Sequence, residues 1–320
     1  MTALRLPDTD AAAAPQRTVA PRIGARAVCE ALVREGVTTV FGYPGGTLLP
    51  IYDVLREFPL RHILVRHEQG GAHAADGFSR ATGGVGVAMA TSGPGAINLV
   101  TGLATAMMDS VPMVAITANV PRPLLGKDAF QETDIIGIAL PITKYATVVM
   151  STDEIPLAVA EAFEIARSGR PGPVLLDFPK DVLQEETTAP HPEPYELRLP
   201  GLLRPTRGDV PEADELAELI ARAERPLILA GHGIQIADAT ELLRQVAERA
   251  EIPVAHTLLG IGNMDETHRL SAGYAGMHGW MHVNKAIQQC DLLIGIGCRY
   301  DDRITGKTST FAPNATIVHV

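Results

Sequence analysis

Residues 63–77 read Ile63-Leu64-Val65-Arg66-His67-Glu68-Gln69-Gly70-Gly71-Ala72-His73-Ala74-Ala75-Asp76-Gly77. An apolar run gives way to charged residues, and a stretch of small residues follows at once. The run suits a strand, and the small residues suit a helix packed closely on its neighbours. One carboxylate, Glu68, falls at the junction, with apolar residues on one side and a helix N-terminus on the other. That position suits proton sharing with a ligand better than simple solvation. The plain alternative is a favourable charge at the start of a helix.

The same alternation extends along the chain. Helices are predicted over 23–34, 69–81, 96–108 and 158–167, and strands over 38–41, 62–65, 85–90, 111–117 and 174–178. Strands alternating with helices imply βαβ units and a mainly parallel sheet. The strands are apolar throughout, as expected when both faces are covered. A second unit shows strands over 227–230, 253–256, 292–295 and 316–320, with helices over 213–223, 239–250 and 283–289. Between the two units Pro190, Pro192, Pro194, Pro200, Pro205 and Pro211 crowd together and read as a stiff linker. The fold class is therefore α/β, with two doubly wound parallel-sheet domains. A loose Ala/Pro/Thr-rich tail covers 1–21, the first domain 22–185, the linker 186–210 and the second domain 211–320. The last strand runs to the final residue, so the sequence reads as a fragment whose second sheet has an open edge.

Composition sets limits on function. Of the 320 residues 46% are hydrophobic and 20% charged, an ordinary globular balance. The net charge of −10 argues against nucleic-acid or anionic-membrane binding. No apolar run approaches the ~20 residues of a membrane span. Cys29, Cys290 and Cys298 fit neither a zinc site nor a disulfide framework, which suggests a reducing, cytoplasmic setting.

Three further segments carry chemistry. Gly42-Tyr43-Pro44-Gly45-Gly46 follows a strand directly; Gly45 and Gly46 allow a ligand to approach the backbone, although Pro-Gly pairs also mark ordinary turns. Thr91-Ser92-Gly93-Pro94-Gly95 joins a strand to a helix without the Gly-x-Gly-x-x-Gly spacing of a dinucleotide fingerprint. Gly83-Gly84-Val85-Gly86 precedes a strand instead of following one, and is no phosphate loop. Asp128-Ala129-Phe130-Gln131-Glu132 lies in a loop after Pro121-Arg122-Pro123. Gly306-Lys307-Thr308 imitates the end of a phosphate-binding loop, but Asp301 stands where that motif needs glycine.

In their order and spacing, the Arg66–Gly77 stretch and these three segments resemble the catalytic subunit of acetolactate synthase, a thiamine diphosphate enzyme. The resemblance runs from about Ile23 to Val320. It implies a thiamine pyrimidine-binding first domain, a Rossmann-like FAD-binding central domain and an absent diphosphate-binding third domain. It implies that Glu68, Gln131 and the Gly46 backbone form the catalytic centre. In that family the glutamate bonds the aminopyrimidine, with Gly45, Gly46 and Ser92 around the same ring. Phe130, Gln131, Lys180, Asp302 and Arg303 would face substrate, Arg303 as a bidentate carboxylate clamp. FAD would meet Arg170, Gly231, Gly233, Thr257, Leu258, Met277, His278, Gly297, Arg299 and Asp301. Isolated, His278 would read as a satisfied core histidine, and Asp301-Asp302-Arg303 as a charged turn. Mg2+ would be held by the absent domain, so no metal ligands are assigned.

The implied reaction is a transferase's. It decarboxylates pyruvate and passes the hydroxyethyl unit to a second pyruvate or to 2-oxobutyrate, opening branched-chain amino-acid biosynthesis. The implied assembly is a homodimer or tetramer with a small regulatory subunit. These residues alone should be inactive, since the family's cofactor sits between this domain and the missing one. Two departures stand out: Thr117-Ala118-Asn119-Val120 where the family more often has Gly-Gln, and Tyr145 in place of the usual His. The competing readings are another thiamine carboligase or decarboxylase, and a non-catalytic FAD-binding or interaction module. Glu68 argues against glyoxylate carboligase, which uses an apolar residue there.

Overall fold

The computed structural model describes residues 22–192, 210 and 212–320. The tail over 1–21 and most of the proline-rich linker lie outside the described residues. The chain divides into two compact units between Pro205 and Thr206.

The first unit runs α1 (Gly24–Arg34), β1 (Thr39–Gly42), α2 (Leu49–Leu55), β2 (Arg61–Leu64), α3 (Glu68–Thr82), β3 (Gly86–Ala90), α4 (Pro94–Asn98) and α5 (Val100–Asp109). It continues through β4 (Met113–Asn119), α6 (Ile135–Ala139), β5 (Tyr145–Val148), α7 (Ile155–Arg167), β6 (Pro173–Pro179) and α8 (Lys180–Gln184). Its six strands are ordered β2-β1-β3-β4-β6-β5, and every pairing is parallel. Strand order reverses between β1 and β3, so the carboxyl ends of those two strands flank a crevice.

Burial follows position in the sheet. The inner strands β3, β4 and β6 are buried at every residue, as the apolar reading required. Strand β1, next to the edge strand β2, is buried at alternate residues. The outer strands β2 and β5, each with a neighbour on one side only, are not buried throughout. That explains why β5, with its mixed Tyr-Ala-Thr-Val sequence, escaped the hydrophobic pattern. The helices α2, α6 and α8 escaped it for a different reason. They span 7, 5 and 5 residues, too short to show a 3.6-residue period. The helix expected over 96–108 is two helices end to end through Leu99, which is 1% exposed.

Small residues set the spacing between layers. A Cβ on Gly86 would stand 2.1 Å from the Ala75 carbonyl oxygen, and one on Gly102 2.3 Å from the Ala72 Cβ. Helix α3 therefore lies directly on β3 and α5, its alanines seated against the glycines of those two elements. Within the sheet, the buried Asp177 carboxylate accepts from Thr117 Oγ1 at 2.6 Å and Asn119 Nδ2 at 2.7 Å. Burial pushes its pKa up, against the opposing pull of those two bonds. The segment read as the start of the linker belongs to this unit. Glu186 bridges Ile23 antiparallel, the Thr187 amide donates to Arg22 O at 2.9 Å, and Arg22 reaches the Ala189 carbonyl.

The second unit comprises α9 (Glu212–Arg222), β7 (Pro226–Ala230), α10 (Gly233–Ile236), α11 (Thr240–Ala250), β8 (Val254–His256), β9 (Ser271–Tyr274), α12 (Met281–Gln289), β10 (Leu292–Ile296), α13 (Asp302–Thr305) and β11 (Thr316–His319). Its sheet is ordered β11-β10-β7-β8-β9 and is parallel throughout. Here the order reverses between β7 and β10. The unforeseen β9 is an edge strand with Gly273 at φ +96° inside it, against which no strand pattern can be read. His256, at the end of β8, is 1% exposed, and its ring nitrogens make no close hydrogen bond among the described residues.

Two outcomes follow. Gly86→Ala should destabilise the first unit by about 3 kcal/mol, whereas Gly84→Ala, whose Cβ meets nothing closer than Thr82 Oγ1 at 3.4 Å, should cost far less; denaturant unfolding of the two variants checks this. The second concerns pH. Burial holds His256 below its ordinary value of 6.5, so the folded second unit keeps the ring neutral. The unfolded chain takes up a proton that the folded unit resists, so stability is lost as pH falls below about 6.5. Corrected for the slower intrinsic exchange at lower pH, the protection factors of β7 and β8 amides should fall between pH 7 and 5.5, and His256→Leu should flatten that response.

Candidate active site

The crevice between β1 and β3 gathers the residues that the sequence singled out. Chain direction explains why: in a parallel sheet every strand enters its following turn at the same edge. The turn after β1 supplies Gly45, Gly46 and Thr47, the turn after β2 leads into Glu68, and the turn after β3 supplies Thr91 to Gly95.

Thr47 ties these turns together. Its hydroxyl lies 3.0 Å from Thr91 Oγ1, donates to Ala118 O at 3.2 Å and accepts from the Ser92 amide at 3.2 Å. One side chain thus joins the ends of β1, β3 and β4. Thr47 carried no motif of its own, and its role exists only once the three ends meet.

Glu68 is the first residue of α3 and is half-buried. The Asn98 side-chain amide donates to its Oε2 at 2.9 Å. Its Oε1 lies 3.3 Å from where a Cβ on Gly95 would stand. Below it, Tyr52 Oη lies 3.2 Å from His62 Nε2, with the rings edge to face at 5.0 Å. Burial raises the Tyr52 phenol, and the Glu68 charge adds to that rise. Burial lowers the His62 imidazole. Asn98, Tyr52 and His62 were all missed in the sequence. Tyr52 lies on the short α2, and Asn98 stands 30 residues from the group it binds.

The glycines divide into two kinds. A Cβ on Gly45 would meet Thr91 at 2.4 Å, so Gly45 is required by packing within the turn. A Cβ on Gly46 would meet nothing within 4 Å, so its backbone is open to a ligand. Ser92 is buried at 3% exposure, and its hydroxyl has no partner among the described residues. A hydroxyl buried without a protein partner can serve as a hydrogen-bonding contact for a bound group.

The loop over 126–132 closes on this turn. A Cβ on Gly93 would stand 2.5 Å from the Gln131 carbonyl oxygen. Gln131 and Asp128 both hold positive φ, at +59° and +53°. Glu132 fixes that conformation: its carboxylate accepts from the amides of Gly126, Lys127 and Ala129, at 3.3 Å from Lys127 and 2.9 Å from Ala129. Those amides, that of Ala129 foremost, hold its carboxyl below the usual range. The loop leaves Phe130 86% exposed. Lys180 begins α8 at the same edge of the sheet and makes no ion pair among the described residues. Arg170 lies at the opposite edge, before β6, where its guanidinium donates to Met107 O, Met108 O and Ser110 Oγ and so caps α5.

The second unit has its own crevice, between β7 and β10. Gly231 and Gly233 pack on the Gly297 backbone, where Cβ atoms would meet it at 2.2 and 2.8 Å. Their amides are already spent on Ile296 O at 2.8 Å and Gly297 O at 3.0 Å. These glycines therefore serve strand-to-strand packing, and neither amide is left for a phosphate. Thr257 is likewise engaged, accepting from the Gly260 amide at 3.1 Å. Asp301 caps α13 through the amides of Arg303 and Ile304 and accepts from Arg299 at 3.3 Å. Leu258, Met277, His278, Asp302 and Arg303 are all exposed; Arg303 reaches Met277 Sδ at 3.3 Å and stands 3.9 Å from the Asp302 carboxylate. His278 is thus no core histidine. Met277, Asp302 and Arg303, with Asn284, Lys285 and Phe311, line a cavity of about 630 Å³. Among the described residues no three His, Cys, Asp or Glu converge on a metal position, and no helix is long and apolar enough to cross a membrane.

Comparison with known proteins agrees with this layout. Residues 22–138 match the thiamine pyrophosphate enzyme N-terminal TPP binding domain, and residues 213–320 match the thiamine pyrophosphate enzyme central domain. The acetolactate synthase large subunit of Parasynechococcus marenigrum is 55% identical over 301 residues, 92% of this chain and 49% of that protein. A probable acetolactate synthase large subunit of Methanocaldococcus jannaschii is 51% identical over 298 residues, 93% of this chain and 50% of that protein. The acetolactate synthase isozyme 2 large subunit of Escherichia coli is 46% identical over 310 residues, 93% of this chain and 53% of that protein. The chain spans about half the length of the curated relatives it matches. With two matched domains, two parallel sheets and Glu68 at the switch point of the first, the chain belongs to the thiamine pyrophosphate enzymes, among those similar to acetolactate synthase large subunits.

Proposed function

We propose that this chain forms the pyrimidine-binding and central portions of an acetolactate synthase catalytic subunit, a transferase. It would join the two-carbon unit of pyruvate to a second pyruvate or to 2-oxobutyrate. The observation that carries this reading is Glu68, held at the β1/β3 crevice with one oxygen bound and the other unencumbered. The residues present fit the aminopyrimidine end of thiamine diphosphate. Gly46 leaves backbone open, Ser92 offers an unpaired buried hydroxyl, and Glu68 offers a carboxylate oxygen.

When bound, the cofactor supplies a carbon nucleophile that adds to a 2-oxo acid and holds the electrons released on loss of carbon dioxide. The chain's own part is to place a proton. Glu68 shares one with the aminopyrimidine at a fixed position, a task for a single oriented carboxylate. Gln131 would donate its amide to the substrate, and Phe130 would shield the reacting atoms from water. Lys180 would stand in the approach path. The exposed Tyr43, Leu64, Ile97 and Phe130 support closure of the site by a second copy in a homodimer or tetramer.

FAD would lie along the second crevice against Leu258, Met277, His278 and Arg299, with Arg303 beside Asp302 facing the 2-oxo acid. Arg170 joins that proposal from the family resemblance alone. Mg2+, a small regulatory subunit and a cytoplasmic setting complete the proposal, with no ligand to the ion assigned among the described residues.

Replacing Glu68 by Gln keeps the shape and removes the exchangeable charge. In the polypeptide at its native length, supplied with thiamine diphosphate and Mg2+, Glu68→Gln should lower acetolactate formation from pyruvate by about a hundredfold or more, with FAD still bound. Turnover within about threefold of the parent would remove Glu68 from the site, since loss of a general acid–base group costs far more.

A further inference from the structure

A carboxylate that shares a proton with a ligand must present one chosen oxygen. Glu68 begins a helix, and nothing in its own helix fixes the rotation of its carboxyl group. The group that fixes it comes from elsewhere in the sequence. Asn98, half-buried at the end of α4, donates its side-chain amide to Glu68 Oε2 at 2.9 Å. The opposite oxygen, Oε1, faces the space above Gly95, where any Cβ would stand 3.3 Å away and would also press on Thr91 Cγ2 at 2.8 Å. Gly95 thus clears the space that Asn98 turns Oε1 towards.

The short helix α4 is what delivers Asn98. Gly93, at φ +59°, turns the chain sharply after β3, and Pro94 starts the helix at once. Asn98 is then its last residue before Leu99, which is anchored in the core at 1% exposure. The donor is held at both ends, by a turn that only glycine makes cheaply and by a buried leucine.

From this geometry we propose that Asn98 is a positioning residue for the thiamine chemistry, holding Oε2 so that Oε1 is the oxygen that meets the aminopyrimidine. The proposal rests on the reading of Glu68 given above. The amide N–H can only donate, so it takes up one lone pair of Oε2 and fixes the plane of the carboxyl group, which sets where Oε1 stands.

The test uses the polypeptide at its native length and three variants: Asn98→Ala, Asn98→Asp and Glu68→Gln. Without cofactor, the Asn98 side-chain amide should give a nitrogen–proton NMR signal displaced by its bond, and Glu68→Gln should move it. With thiamine diphosphate bound, exchange of the thiazolium C2 proton with deuterium is followed by acid quench. Asn98→Ala should slow that exchange about tenfold, while cofactor affinity and pyruvate KM stay within about threefold, so that the loss falls on kcat. Asn98→Asp has nearly the same shape but replaces a donor by a like charge. It should slow exchange further, by about a hundredfold, whereas a merely structural Asn98 would tolerate the isostere. Parent-like exchange in Asn98→Asp overturns the proposal, whether or not Asn98→Ala folds. Parent-like exchange in Glu68→Gln overturns the reading of Glu68 itself, which separates the two failures.

Discussion

Reversal of strand order between β1 and β3 is the constraint on which the first unit's site depends. All strands of the sheet are parallel, so every following turn opens at the same edge. Only where neighbouring connections leave in opposite directions does a gap remain between them. Glu68, Gly46, Ser92 and Asn98 come from three different turns and share that gap. The Thr47 hydroxyl, bonded to the ends of β3 and β4, keeps it from spreading.

Glycine does two opposite things in this protein, and the difference is physical. Gly86, Gly102, Gly231 and Gly233 are filled against, since backbone or a methyl from the neighbouring element occupies the volume a side chain would need. Their purpose is close approach of layers. Gly46 is open, and Gly95 leaves room above a carboxylate. A glycine-rich turn after a strand therefore does not by itself mark a ligand. The turn after β7 carries two glycines that the resemblance assigns to FAD, yet the Gly231 and Gly233 amides are spent on the Ile296 and Gly297 carbonyls. The turn after β1 reads both as an ordinary turn and as open backbone, and the two roles divide: Gly45 is packed on Thr91 and Gly46 is open.

Short-range and long-range order were unequally legible. The inner strands and the helices α1, α3, α7 and α11 stood out because each is long enough, or apolar enough, to reveal its period. The elements α2, α6, α8, β5 and β9 did not, being short or lying at an edge where half the surface meets water. Glu68 could be found from its neighbours in sequence, because an apolar run followed by a small-residue helix is a local signal. Asn98, Tyr52, Thr47 and Glu132 could not. Each acts on a group contributed by another turn, helix or loop position, and none lies in a pattern that names its partner.

The sequence by itself determined the layer class, the alternation of strand and helix, the two units and the family to which the motifs belong. Those properties rest on hydrophobic period and turn chemistry, which are written residue by residue. Tertiary structure alone decided which glycines are open, which amides remain free and which oxygen of Glu68 is bound. These depend on atoms brought within about 3 Å across tens of residues of chain, a distance that no local pattern encodes.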